Sequence, residues 1–516
     1  MGCHRLRVDT ATADMNILID TNIVISLEPT RPDDLELGAR VATELVRLVG
    51  VGGHRIFIHP ESLRELAGDK DPRRRAMRGT LLGKYHQLDP PPLMAPELGE
   101  IIGEVDPASH DQVDYLMLSA VLAAAVEFLV TGDGGILSKA SRLGIGDRVL
   151  TVEDAVAFLE SLEGRTPQPP PAVILTKAYT LDQTDPILDS FREDYGAEFD
   201  GWLTKCKLEQ RPTWVIRDRE RSFLSAVCII KKLDDELRLG GPTLKICSLK
   251  VADERQGRRY GELLLKTLFL YLFENRYHYA FVTVFERHAE LIALLEDFGF
   301  RRHEPDTGLG ERVYVKALHA SATERDAIGP LEYHVRFGPP ALKLVEDRVF
   351  LVPIQPRYHK LLFPDAEPPP EPEAQLRLPL DLVPLEPRPF GNALRKAYLS
   401  NSPSRQLVPG ATLLFYRSGD HQGVTCIGVV EQTLVSRDPV GVAAFVGQRT
   451  VYSLGDITGL CGRGEVVAVL FRQDRLLPTP LASDELVFKG VARRAPQSIS
   501  RVPPEVIPWL SHRIGG

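Results

Sequence analysis

The chain lacks the cysteine patterns from which small zinc-built or disulfide-built scaffolds are made. Its 516 residues hold six cysteines, at positions 3, 206, 228, 247, 426 and 461, and no two form a CxxC pair. That scatter excludes a cysteine-built zinc site and fits a reducing cytoplasm. It also lacks an unbroken apolar run of transmembrane length. The richest stretch, residues 115–130, is interrupted by Glu127 and reads as a buried helix. The first fourteen residues have no apolar h-region, so they read as a disordered lead-in and not as a secretory signal. No internal repeat is visible. These absences together set the expectation of a cytoplasmic protein with no membrane partner.

What is present is an ordinary globular composition, 43% hydrophobic and 26% charged, over a length that suits about three domains. The net charge of −8 hides an asymmetry: residues 391–516 carry 14 Lys/Arg against 9 Asp/Glu, a surplus that points weakly to a polyanionic partner. Two proline-rich stretches, residues 163–172 and 363–390, cannot form a regular helix or a central strand. They separate three blocks at 15–162, 173–362 and 391–516.

In the first block apolar strands alternate with amphipathic helices, which favours α/β with a parallel sheet. Asp20 follows the strand "ILI" and Asp133 follows "FLVTG", both at the carboxyl edge where open α/β sheets bind ligands. Glu61 and Glu65 fall on a helix start, and Asp111 and Asp114 share one helix face. Carboxylates gathered at one edge repel one another unless cations separate them. Hard oxygen ligands suit Mg²⁺ or Mn²⁺, ions able to activate water for phosphodiester cleavage. With its Asp-Thr-Asn start, central Glu, later Asp-bearing helix and "VTGD", this block resembles a PIN domain, the fold of VapC-type toxin ribonucleases. The resemblance implies Asp20, Glu65, Asp114 and Asp133 as catalytic metal ligands, with Thr21 and Asn22 buttressing Asp20. It also implies pairing of two copies through this domain. Gly134 and Gly135 stand where the family often has a further acidic or polar residue.

In the second block a strand over 243–251 leads into "ERQGRRYGELLL" (254–265) and a helix. A helix N-terminus offers unpaired N–H groups and a partial positive charge to a pyrophosphate, and Gly257 and Gly261 let backbone approach it. With "EDFGF" (296–300) following, the block resembles the GNAT acyl-CoA N-acetyltransferases, α+β proteins. The resemblance implies acetyl-CoA as cosubstrate, its pyrophosphate on Gln256, Gly257, Arg258, Arg259, Tyr260 and Gly261, and its pantetheine arm paired with backbone near Leu249 and Val251. Three positions depart from the family: Arg259 replaces a middle glycine, His288 a common Asn, and Leu295 the frequent acidic Tyr. Glu286 or His288 are then candidates to accept the amine proton, and Tyr314 to protonate the CoA thiolate.

The third block has short alternating runs, among them "ATLLFYRSGD", "VTCIGVVEQTL", "RTVYSL" and "VVAVLF", which read as a mostly-β small barrel. It resembles PUA-like domains of the ASCH and EVE kind, which hold RNA or a modified base. Tyr416 and Arg417 are candidate stacking or pairing residues, and "RRAPQSI" (493–499) is a further contact. The whole is expected to be an α/β multidomain enzyme: a PIN-like α/β/α nuclease, a GNAT α+β acetyltransferase and a PUA-like β-barrel, acting on RNA or the translation apparatus, in a toxin–antitoxin or defence setting. Two alternatives stand beside it. One is an acetyltransferase with an inert PIN docking domain, the other a non-enzymatic nucleic-acid-binding regulator.

Overall fold

The computed structural model describes residues 14–27, 37–67, 82, 85–95, 98, 111–162, 173–217, 223–252, 255, 259–366, 393–419 and 422–514. The chain forms two compact units. The first joins residues 1–165 with 436–447 and 452–464; the second holds 166–435, 448–451 and 465–516. No helix among the described residues is long and apolar enough to cross a membrane.

In the first unit β1 (Asn16–Ile19), β2 (Arg55–Ile58), β3 (His86–Gln87), β4 (Phe128–Val130) and β5 (Val149–Leu150) form a sheet in the order β3-β2-β1-β4-β5. Its described pairs are all parallel. Between the strands run α1 (Thr21–Leu27), α2 (Leu37–Val51), α3 (Pro60–Ala67), α4 (Asp111–Leu122), α5 (Gly134–Arg142) and α6 (Val152–Leu162). A parallel sheet needs apolar cover on both faces, and successive strand residues supply it. Ile17, Ile19 and Ile58 pack with Leu45 and Leu48 of α2 and Phe158 of α6. Leu18 and Leu129 pack with Leu118 and Val121 of α4 and Ile136 of α5. A late segment completes the first of these layers: Ala444, from the helix Pro439–Val446, is buried within it.

The second unit contains two sheets. One follows the order β11-β12-β10-β9-β8-β7-β6, built from β6 (Val173–Lys177), β7 (Pro212–Arg217), β8 (Leu224–Lys231), β9 (Thr243–Val251), β10 (Tyr279–Val284), β11 (Arg301–His303) and β12 (Arg312–Ala317). On one face lie α7 (Asp189–Tyr195) and α8 (Glu198–Leu208), where Phe199 and Leu203 meet Val215, Val227 and Ile229. On the other lie α9 (Tyr260–Glu274) and α10 (Ala289–Asp297), where Leu264, Leu268 and Leu295 meet Cys228, Ile246 and Val282.

The other sheet has the order β14-β17-β16-β15-β13-β18, with β13 (Val349–Ile354), β14 (Arg395–Ser400), β15 (Thr412–Arg417), β16 (Gly423–Ser436), β17 (Val466–Ala482) and β18 (Ser500–Arg501). Three expectations change here. Residues 349–354, assigned by the proline breaks to the central block, pair in parallel with β15 and belong to this sheet. The C-terminal part is sheet-rich, but the described pairing does not join β14 to β18, so a closed barrel does not follow. "RTVYSL" (449–454) is not a strand. Ser453 accepts from the Asp456 N–H while the Asp456 carboxylate accepts from the Ser453 N–H, a capping box that starts the helix Leu454–Arg463.

Candidate active site

Among the described strands, β9 and β10 part at one end. β9 and β10 are parallel and pair from Thr243↔Tyr279 to Ile246↔Val282. Both strands continue, β9 to Val251 and β10 to Val284, but the register between them ends there, and β9 beyond Ile246 pairs with β8 alone among the described strands. The backbone edge of residues 247–251 is therefore open, and it includes Leu249 and Val251. Leu249 is buried and Val251 packs against the same core.

Beyond β9 the chain turns into α9. Gln256, Gly257 and Arg258 lie outside the described residues. Arg259 adopts φ 59°, ψ 25°, the left-handed region, and its carbonyl accepts from the Leu263 N–H at 3.0 Å. A left-handed residue explains why a glycine suits this position. The Arg259 guanidinium lies 3.7 Å from the Glu262 carboxylate. Tyr260 is half-buried against the core. At Gly261 a Cβ would come within 3.0 Å of Leu294 Cδ2 and 3.8 Å of Val251 Cγ2, so this glycine lets α9 lie close to both α10 and the open strand. Glu262 is buried, and its Oε1 accepts from the Leu394 and Arg395 N–H groups at 2.8 and 2.7 Å.

On the α7–α8 face a cavity of about 410 Å³ reaches the point where the strands part. Cys247 and Thr283, the first residues beyond the last β9–β10 pair, both line it, together with Phe191, Tyr195, Phe199 and Trp202. At its base Glu311 is only 6% exposed. It accepts from the Tyr195 hydroxyl at 2.6 Å, the Thr283 hydroxyl at 3.0 Å and the Thr307 hydroxyl at 3.2 Å. Burial, reinforced by the bond to Glu311, pushes the Tyr195 hydroxyl well above its ordinary pKa. Sequence reasoning missed Glu311 and Tyr195. Glu311 sits in a loop just before β12, and Tyr195 ends a short helix 116 residues earlier, so no spacing rule links them.

The proton carriers named from sequence are placed apart from that cavity's lining. The Glu286 carboxylate is exposed and ion-paired with Arg312. His288 precedes α10, and its Nε2 lies 2.7 Å from Asp194 Oδ2. Burial would raise the Asp194 carboxyl, but hydrogen bonds from Arg287 and His288 hold it below the usual range. Tyr314 is 2% exposed in the α9–α10 layer, on the sheet face opposite Thr283, and burial raises its hydroxyl pKa, with Glu296 adding to the effect. Leu295, where a tyrosine was expected, is fully buried beside it.

In the first unit Asp20 is 6% exposed at the end of β1. Its Oδ2 accepts from the Thr131 hydroxyl at 2.7 Å and its Oδ1 from the Thr21 N–H at 2.5 Å. Burial pushes its pKa up to about 6 against these hydrogen bonds, with repulsion from Asp114 and Asp133 adding to the rise. Those three carboxylates are thus brought near one another. Each is also engaged by the protein. Asp114 Oδ2 is ion-paired with Lys139 Nζ at 2.8 Å. Asp133 caps α5, its Oδ1 accepting from Gly135 N at 2.6 Å and Ile136 N at 3.3 Å. A Cβ on Gly135 would lie 2.9 Å from that oxygen, so the Gly134-Gly135 pair is part of the cap. Glu65 is exposed and accepts from the Thr21 hydroxyl at 3.1 Å, while Asn22 Oδ1 accepts from the Gly132 N–H at 3.2 Å. Glu61 is ion-paired with Arg64, and the Asp111 side chain lies outside the described set. Among the described residues no group of three His, Cys, Asp or Glu side chains is arranged to hold a metal ion. As placed, the carboxylates do not fit Mg²⁺ or Mn²⁺.

In the C-terminal sheet Tyr416 is 1% exposed and its hydroxyl donates to Ser483 Oγ at 3.1 Å. Arg417 is also buried. Neither is placed to stack on a base, because the faces a nucleotide would need are covered by protein. Arg493 and Arg494 are exposed.

Comparison with known proteins addresses the central domain directly. Residues 175–300 match the acetyltransferase (GNAT) family, and this segment is a GNAT acetyltransferase domain. No curated protein matches the chain. Similar solved structures include a GNAT family acetyltransferase from Staphylococcus aureus Mu50, 11% identical with a TM-score of 0.23, covering 29% of this chain and 100% of that one. Another is a GNAT family acetyltransferase from Elizabethkingia anophelis with acetyl-CoA bound, 14% identical with a TM-score of 0.21, covering 28% of this chain and 98% of that one. A third is ASCH from Zymomonas mobilis, 12% identical with a TM-score of 0.24, covering 32% of this chain and 96% of that one.

Proposed function

We propose that the protein is an acyl-CoA-dependent N-acetyltransferase. The observation that carries this reading is the parting of β9 from β10 within a GNAT domain, with the start of α9 at one side and a lined cavity at the other. Acetyl-CoA would lay its pantetheine arm along the open edge near Leu249 and Val251. Its pyrophosphate would rest on residues 256–261, where the N-terminus of α9 favours negative charge. Arg259, within that segment, would add a positive charge near the phosphates. The protein's contribution to the reaction is to hold amine and thioester together and to take one proton from the amine. The test is release of CoA thiol from acetyl-CoA, followed with the intact chain and a panel of primary amines. Amine-dependent release is expected, and none with any amine would contradict the reading.

A second reading concerns the first unit, which we propose to be a PIN-like domain acting on RNA, with the C-terminal part as its RNA-binding module. It is supported by the five-stranded parallel order and by the gathering of Asp20, Asp114 and Asp133 at one sheet edge. Exposed Arg493 and Arg494 are the candidate phosphate contacts. The Lys139–Asp114 pair and the Asp133 cap would have to open before metal-dependent cleavage could use these carboxylates, so no metal-routed step is derived. Mn²⁺-dependent RNA cleavage that disappears in Asp20→Ala would support a nuclease. Cleavage unchanged in that variant would remove the assigned site.

A further inference from the structure

The cavity over β9 and β10 holds one buried carboxylate that makes no ion pair among the described residues. Its four cations pair with three acids outside Glu311: Lys231 with Asp234 at 2.7 Å, Lys245 with Glu236 at 2.6 Å, Arg211 with Glu209 at 2.7 Å, and the exposed Lys205 with the same Glu209 at 4.0 Å. Glu198 is exposed to solvent. Glu311 differs from all of these. It is buried, its three partners are hydroxyls, and it makes no ion pair among the described residues. A carboxylate taken out of water calls for a cation, and no cation among the described residues is paired with this one. The same cavity is lined by charged side chains and by an aromatic group, Phe191, Phe199 and Trp202. Phe191 and Phe199 stack with centroids 5.5 Å apart at 9°, and Trp202 lies 5.5 Å from Phe199. A volume of about 410 Å³ suits a small molecule.

We propose that this cavity receives the acyl acceptor as a small primary ammonium on a flat apolar or aromatic body, and that Glu311 binds its nitrogen. The proposal rests on the acetyltransferase reading and adds the acceptor class and the base. Tyr195 and Thr283 are positioning residues that fix the Glu311 carboxylate through their hydroxyls. Thr283 and Cys247 line the cavity at the parting of the strands, so an amine at Glu311 faces the gap into which the thioester would enter. Glu311 takes one proton from the ammonium. The freed nitrogen lone pair attacks the thioester carbonyl carbon, a C–N bond forms and the C–S bond breaks. The departing CoA sulfur takes the second nitrogen proton, and Glu311 releases the first to solvent. No oxidant or reductant is needed.

The test uses the intact chain, acetyl-CoA, and tryptamine as a probe amine, with spermidine as a polycationic comparison. Tryptamine is expected to be preferred by at least about tenfold in kcat/KM. Glu311→Gln is expected to lower kcat/KM for tryptamine by about 100-fold, to bind acetyl-CoA as the wild type does, and to melt no lower, because it replaces an unmatched buried charge with a neutral acceptor. Tyr195→Phe is expected to raise KM more than it lowers kcat. Failure of the wild type to bind acetyl-CoA would overturn the acetyltransferase reading itself. Three results would overturn this proposal alone: acetyl-CoA binding with no turnover of tryptamine, a preference for spermidine, or full activity in Glu311→Gln. A Glu311→Gln variant that melts well below the wild type and loses acetyl-CoA binding would make Glu311 structural and likewise overturn it.

Discussion

Lys396 lies fully buried on β14, its ammonium 4.9 Å from the centre of the Phe363 ring and donating to the Leu362 carbonyl. Burial pushes its pKa from 10.5 down to about 7, and the nearby Lys266 charge adds to the fall. The unfolded chain keeps this amine protonated up to its ordinary value, whereas the folded chain releases the proton near 7. Between those values the unfolded state binds more protons, so stability rises with pH. The contribution is complete above 10.5 and is lost progressively as pH falls from there to about 7. Lys396→Met is expected to flatten this rise, read as the change in urea midpoint between about pH 7 and about pH 9.5. An unchanged rise would contradict the assignment. Single residues were the least legible level in the sequence. Lys396 and Glu311 look like surface charges when read along the chain, and only the folded arrangement buries them. Tyr416, read as a candidate stacking residue, is buried on β15 and packs in the core.

At the level of elements, the loop into α9 and the end of α10 are the informative pair. "EDFGF" closes α10 by a Schellman arrangement: Phe300 N donates to Leu295 O at 3.0 Å and Gly299 N to Glu296 O at 2.9 Å, with Gly299 at φ 78°. A Cβ at Gly299 would strike the Val335 carbonyl at 2.0 Å, so the motif that helped mark the family is here a device of backbone geometry. Arg259 keeps the left-handed backbone without a glycine's freedom. Arg259→Ala leaves that strain in place and Arg259→Gly removes it. The Gly variant is therefore expected to be the more stable by about 1 kcal/mol in thermal or urea unfolding. Equal stabilities, or a less stable Gly variant, would contradict this account of the turn. Elements were well legible where periodicity was strong. The strand read at 243–251 is β9, and the helix read after it is α9. They were poorly legible in "RTVYSL", where β-branched and aromatic residues imitate a strand while Ser453 and Asp456 write a helix cap. Propensity gave way there to side-chain capping.

For the whole molecule, proline-rich composition located breaks in the chain but could not say which segments pack together. β13 lies before the second break yet joins the C-terminal sheet, and residues 436–447 and 452–464 lie after it yet belong to the first compact unit. Partnerships of this kind depend on contacts far apart in sequence, which local patterns do not record. Within the second unit the GNAT domain and the C-terminal sheet share buried and partly buried polar contacts. Glu262 of α9 holds the Leu394 and Arg395 N–H groups, the Arg395 guanidinium pairs with Asp297 at 2.8 Å, and Arg472 donates to the Asp297 carbonyl at 2.8 Å. α9 is thereby tied to the C-terminal sheet, so the proposed binding of acetyl-CoA should be measured on the intact chain. Calorimetric titration of that chain with acetyl-CoA is the most direct test of the central claim. One saturable site per chain, competed by free CoA, is the result expected; no saturable binding at millimolar acetyl-CoA would contradict the claim.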